Sequence, residues 1–330
     1  MRKGTALVIG TAALALLGWS AARADIRATG SLPGNLSGLS GPFDLAAPRK
    51  AEAGEYVQET RLVHMNTKGQ RTGTETLTLR LRCVPSELRE KPGDEYTCLE
   101  FIWRKKDGTD VTIPALAGWT YVFLKTESGL DAKGQVFGIP HEKFVGLVDS
   151  QGAPLDVEHG YFVYNSFIDF HGFGDSFARP VPGGRGLQDL TVPGQALVHA
   201  AAFTEPPVNL GEGIKPGSYF RNGEVKLVFK GLGLVDGRAC AIIGFDSGES
   251  TLKMIMPLGA SGDIVTEGGS EYIGDIYIDL ETRWVRRITL DEFVISETQL
   301  PATGAGPMSG TKILGYTIRH LLTRLVGKDR

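Results

Sequence analysis

The sequence predicts a mainly β protein made of antiparallel hairpins and meanders, folded as one large or two successive curved sheets of half-barrel or sandwich type. Three observations carry this expectation. From Tyr56 onward apolar and polar residues alternate with period two, β-branched and aromatic residues recur in short runs, and turn-forming dipeptides separate those runs. Repeated hairpins argue for an antiparallel meander and against a parallel βαβ sheet.

The first 24 residues stand outside that pattern. Arg2 and Lys3 precede an apolar run from Thr5 to Leu17, and Ala22-Arg23-Ala24 has the small-residue form of a signal-peptidase site. The run falls short of the roughly 20 residues that cross a bilayer, so a cleaved signal peptide is expected and not an anchor. No cysteine follows the apolar run, which predicts a mature chain starting at Asp25, free of lipid and of any integral membrane segment. The expected location is the bacterial periplasm, or outside the cell.

Residues 25–50 are rich in Gly, Ser and Pro and read as an extended lead-in. A strand-rich block follows over 51–179. Within it Asn66 to Gly69 separates Tyr56–Met65 from Thr74–Leu81, and Asp107-Gly108 separates Phe101–Trp103 from Val111–Ile113. The stretch 180–208 breaks the rhythm with five prolines and four glycines and is expected to be a linker or crossover. A second strand-rich block covers 209–330. Asn222-Gly223 and Asp236-Gly237 both carry the signature of a type I′ hairpin turn, whose two central residues need positive φ. Residues 313–326 fit either period, but Gly315, Tyr316, Thr317 and Ile318 favour strand.

Charge limits the partners. The 330-residue chain has 35 basic and 38 acidic residues, and loss of Arg2, Lys3 and Arg23 with the signal leaves 32 basic residues and a formal charge of −6. No dense basic run interleaved with aromatics offsets that, so nucleic acid is not an expected partner. Three cysteines in an oxidising compartment suggest one disulfide. Cys83 closes one alternating run and Cys98 opens the next, and as neighbours across a hairpin mouth they are the expected pair. Cys240 reads as a buried thiol.

The familiar enzyme motifs are missing: no G-x-S-x-G, HExxH, CxxC or phosphate loop occurs. Asp246-Ser247-Gly248 resembles the nucleophile loop of chymotrypsin-like proteases, but Glu249 stands where that family has glycine. No metal and no cofactor is expected. Glu271, Asp275 and Asp279 share one strand face, and with Arg283, Arg286 and Arg287 they suggest cross-strand ion pairs.

The candidate site is Asp156–Arg179, where seven of the chain's 28 aromatic residues fall between Tyr161 and Phe177. Read as a strand, one face carries Phe162, Tyr164 and Phe170. The other carries Tyr161, Asn165, Phe167, Asp169 and His171. Such a strand is more often a central core strand, and otherwise fits the wall of an apolar ligand cavity. Asp169 and His171, two residues apart on one face, could form an acid-base pair. The expected function is non-catalytic binding of an apolar small molecule, lipid or acyl chain, or of an envelope partner. The alternatives are a periplasmic hydrolase using the Asp/His pair and a structural or protein-interaction factor of the envelope.

Overall fold

A computed structural model of the chain describes residues 36–123, 139–176, 185–211, 213–302 and 310–326. It is mainly β, with one antiparallel sheet of 14 strands that does not close into a barrel among the described residues. The first block supplies β1 (Gly54–Met65), β2 (Arg71–Val84), a one-turn helix α1 (Ser86–Arg89), β3 (Asp94–Arg104), β4 (Asp110–Thr112), β5 (Thr120–Phe123) and the helix α2 (Val157–Asp169). Two short strands, β6 (Ala196–Ala200) and β7 (Phe203–Glu205), lie within the Pro/Gly-rich stretch. The remainder supplies β8 (Tyr219–Asn222), β9 (Val225–Val235), β10 (Arg238–Asp246), β11 (Ser250–Pro257), β12 (Asp263–Asp279), β13 (Val285–Gln299) and β14 (Lys312–Val326).

The main path runs β4-β3-β2-β1-β14-β13-β12-β10-β9-β6. The two strand-rich blocks therefore join in one sheet, because β14 pairs with β1 along Glu55↔Val326 to Met65↔Tyr316 and with β13 on its other side. The C-terminal stretch, ambiguous in sequence, is thus a central strand. Strand β12 is a branch point: its second half pairs with β10 and its first half with β11, which continues through β8 to β7. We call β7, β8, β11 and the facing ends of β12, β13 and β14 the wing.

Local chemistry explains the joints. Asp236 and Gly237 hold φ of 50° and 74°, as a type I′ turn requires, and join β9 to β10 with Val235 opposite Arg238. Asn66 closes the β1–β2 hairpin, its backbone N–H donating to the Gln70 carbonyl. Asn222-Gly223, by contrast, does not close a hairpin: β8 pairs with β7 and β11, whereas β9 pairs with β10 and β6. Glycine is needed there for another reason, since a Cβ on Gly223 would lie 2.6 Å from the backbone of Gly248.

Two buried clusters hold the layers together. One lies between the β1–β5 end of the sheet and α2, around Tyr56, Tyr96, Phe101, Phe123, Phe167, Phe170 and Trp284. The other lies on β9, β10, β12 and β13 around Leu227, Phe229, Ile243, Ile276 and Ile288, covered by Leu45 and Leu187. The lead-in docks at a few points from Leu36 onward: Leu36 and Leu45 are buried, and Phe43 meets Phe229 edge-on at 5.9 Å. Curvature follows from what α2 touches. Its residues reach β1, β3 and β5 on one side and β12 and β14 on the other, which only a sheet bent around the helix allows.

The disulfide expectation is corrected: Cys83, Cys98 and Cys240 are all buried, and none is disulfide-bonded. The β2–β3 register sets Cys83 opposite Tyr96 and Cys98 opposite Leu81, so the two cysteines are diagonal and not facing neighbours. Diagonal side chains on adjacent strands sit about 7 Å apart. A disulfide needs Cβ atoms at about 4 Å.

Candidate functional site

The expectation of a strand over Asp156–Arg179 is also corrected. Val157–Asp169 forms α2, and a π-helical turn continues it over Phe170–Ser176; Phe177 and Arg179 lie outside the described residues. The cap explains the start: the Asp156 carboxylate accepts the His159 backbone N–H at 2.9 Å, satisfying one of the helix's orphan donors. Val163, Tyr164, Phe167 and Phe170 then recur at helical spacing and form the buried face.

The aromatic residues named from the sequence are brought together, but as a filled interior. Phe167 stacks on Phe101 with rings 6.2 Å apart and 9° from parallel, and meets Phe144 edge-on at 5.3 Å. Phe170 packs edge-on against Tyr56 at 5.0 Å and Tyr96 at 5.6 Å. Tyr164 is buried against Phe144, and its hydroxyl is 3.4 Å from His141 Nε2. Tyr161 donates to the Val208 carbonyl, Phe162 is half-buried against the cluster, and Asn165 is partly exposed. Each large apolar side chain buried in this way stabilises the fold by about 1.5–3 kcal/mol.

Asp169 and His171 do not pair with each other. Residues two apart on a helical segment point to different sides. Asp169 accepts from Arg319 at 2.5 Å and from the Tyr272 hydroxyl at 3.2 Å, and Arg319 also donates to Glu292 and, at 2.6 Å, to Tyr272. Burial pushes the Asp169 carboxyl above its ordinary range against the pull of Arg319, with Glu292 adding to the rise. His171 is fully buried, its Nε2 2.7 Å from the Tyr121 hydroxyl and its ring stacked on Phe123 at 4.7 Å.

A second polar cluster lies at the other end of α2, and the sequence reading missed it. Glu75 on β2 is buried, with one carboxylate oxygen 3.0 Å from His64 Nε2 and 3.2 Å from Lys106 Nζ. The other accepts from Trp103 Nε1 at 2.7 Å and lies 3.2 Å from His159 Nε2. His159 Nδ1 is 2.6 Å from Asp156, and its ring lies 4.2 Å from that of Trp103. Burial alone would raise the Glu75 carboxyl, but the donors from His159, His64 and Trp103 outweigh it and hold the group well below the carboxylate range. Burial would likewise lower His159, yet Glu75 and Asp156 raise it above an ordinary imidazole. The Lys106 ammonium already supplies a cation there, and among the described residues no group of three or more His, Cys, Asp or Glu is set to hold a metal ion.

The wing carries the remaining candidate surface. Tyr272, Glu292 and Arg319 mark the face that meets α2, and alternation along each strand continues that inner face to Ser250, Leu252, Met254 and Met256 on β11, Ile264 on β12 and Phe220 on β8. Phe220, Leu252, Met254, Met256 and Ile264 are only partly buried and belong to neither cluster. The signal for them is in the sequence: STLKMIMP alternates, and it places two of the chain's five methionines on one face. The acidic residues Asp275 and Asp279 occupy the other face in ion pairs, with Lys230 at 2.5 Å and Arg238 at 3.1 Å. Also on the outer face are Phe293 and Ile295, 48% and 57% exposed. No protein-family model matches the chain, and no curated protein is significantly similar to it in sequence.

Proposed function

We propose that the chain is an exported, non-catalytic β protein of the bacterial envelope that binds an apolar ligand, a lipid or acyl chain, on the inner face of the wing. The observation that carries this reading is the half-buried row Phe220, Leu252, Met254, Met256 and Ile264, which is apolar, faces inward and packs on neither core cluster. Methionine fits the role because its unbranched, polarizable side chain adapts to ligands of variable shape. The signal-like residues 1–24 supply the address. The site differs from the one expected at Tyr161–Phe170, where helix α2 itself fills the hollow. The hydrolase alternative loses its support, because Asp169 is held by Arg319 and His171 is buried among aromatic rings.

The test is to purify the protein after export, extract it, and identify co-purifying molecules by native mass spectrometry. Bound lipid is expected, along with its loss in Leu252→Glu and Met254→Glu. A ligand-free mass in repeated preparations would overturn the proposal. A second reading, an envelope protein docking on the outer face, draws on exposed Phe293, Ile295 and Leu314. It predicts that Phe293→Ser with Ile295→Ser abolishes a partner crosslink without changing lipid content.

A further inference from the structure

Helix α2 is attached differently along its length. From Val163 onward its inward residues are buried, and the Gln58 side chain donates to the Ser166 carbonyl at 2.6 Å. Before Val163 no residue of the helix is fully buried, and Gly160 weakens the first turns by about 1 kcal/mol relative to alanine. This half is held to the rest of the fold by the partial packing of Tyr161 and Phe162, by the Tyr161 hydroxyl bond to Val208, and by one polar contact with the sheet, the His159 imidazole seated on Glu75 and Trp103. Below the same turns lies a shallow cleft lined by Phe144, Leu147, Leu155, Val157, Gly160 and Leu210.

We propose that His159 and Glu75 form a proton-dependent latch: with the imidazolium in place the first two turns of α2 lie on β1–β3, and loss of that proton lets them lift while the second half stays seated. The groups facing His159 are Glu75 from β2 and Asp156 from the helix cap. His64 from β1 and Lys106 share the Glu75 carboxylate with it. Lys105 lies over the Trp103 ring at 5.1 Å but is paired with Asp149 at 2.7 Å. Asp156 travels with the helix, but the Glu75 carboxylate reaches the imidazole only when the helix is seated, so the charged form is the one the seated helix favours. Lifting widens the cleft beneath Leu155 and Val157 and uncovers the Tyr161 and Phe162 side. This device is separate from the wing surface and stands whether or not the wing binds lipid.

The experiment is hydrogen exchange on the ligand-free exported protein from pH 6 to pH 9, corrected for intrinsic exchange, with the histidines titrated in parallel by NMR. Lifting removes Glu75 from the imidazole but not Asp156, so loss of the proton makes lifting easier by the Glu75 share of the His159 pKa rise. Protection at residues 160–164 is therefore expected to fall through the His159 titration, with protection at 167–170 unchanged. His159→Gln, at a partly exposed position, should remove the step and leave 160–164 weakly protected at every pH. His64→Gln should keep the step. A step that follows His64, a uniform loss along the whole chain, or flat protection at 160–164 would each overturn the latch.

Discussion

Arg319 and Asp169 are 150 residues apart in the chain and 2.5 Å apart in the fold, where the guanidinium of β14 closes on the last residue of α2. Glu292 shares the same guanidinium, and all three groups are buried. Two carboxylates on one cation make Arg319 the member whose loss is most costly.

Replacing that cation leaves two carboxyl groups buried without their counter-charge. Arg319→Met should destabilise the protein by about 3–5 kcal/mol, read as a lowered midpoint in urea unfolding. Adding Asp169→Asn and Glu292→Gln to it should recover part of the loss. A midpoint for Arg319→Met equal to wild type would show that the cluster does not anchor the helix.

The filled hollow predicts a contrast between two phenylalanines on one helix. Phe167→Ala opens a hole between Phe101, Phe144 and Tyr121 and should cost about 3–5 kcal/mol. Phe162, only half-buried, should cost clearly less when truncated in the same way. Equal costs in denaturant titrations would contradict the packing described.

For Glu75 the folded-state carboxyl is depressed below its unfolded value of 4.5. Its contribution is therefore fully present above pH 4.5 and is lost as pH falls toward the folded value. Unfolding titrations of wild type and Glu75→Gln should differ most near neutrality and converge in acid. A gap that stayed constant down to pH 3 would speak against this pairing.

Burial pushes the thiols of Cys98 and Cys240 up to about 12, so both stay protonated and inert in the folded protein. Denatured without reductant, the protein should titrate three thiols, and in the native state these two should react only as fast as it opens. A count of one would restore the disulfide.

Strand β12 offers a steric test. A Cβ at Gly274 would sit 2.0 Å from the Thr289 carbonyl oxygen on β13. Gly274→Ala must displace backbone, and overpacking of this kind costs about 1–3 kcal/mol or more. Thermal unfolding measures it. Gly69→Ala tests a different cost, since a Cβ there meets no atom but the residue holds a φ of 71°.

The sheet was legible in the sequence where the signal was local. Asp236-Gly237, Asp107-Gly108 and Asn66–Gly69 mark true hairpins because each turn's chemistry and its flanking pairing coincide. Asn222-Gly223 carries the same dipeptide signal, yet its flanking strands go to different partners, a choice made by contacts far away in sequence. The aromatic stretch misled for a related reason: Phe162, Tyr164 and Phe170 fit period two, while Val163, Phe167 and Phe170 fit the helical period. An arbiter was present in the Asp156 cap, followed by Glu158 in the first turn. Nothing local could join Arg319 to Asp169, or Glu75 to His159 84 residues away.

The placement of β14 between β1 and β13 bears on how the chain reaches its fold. The strand nearest the C-terminus lies in the middle of the sheet, so β1 and β13 each expose an unsatisfied edge until it arrives. Contacts spanning most of the chain must form together, which makes folding slow and leaves the half-made molecule prone to pairing with other chains. A nascent chain made from its N-terminus would thus be held from completing its sheet until Lys312–Val326 had followed the rest.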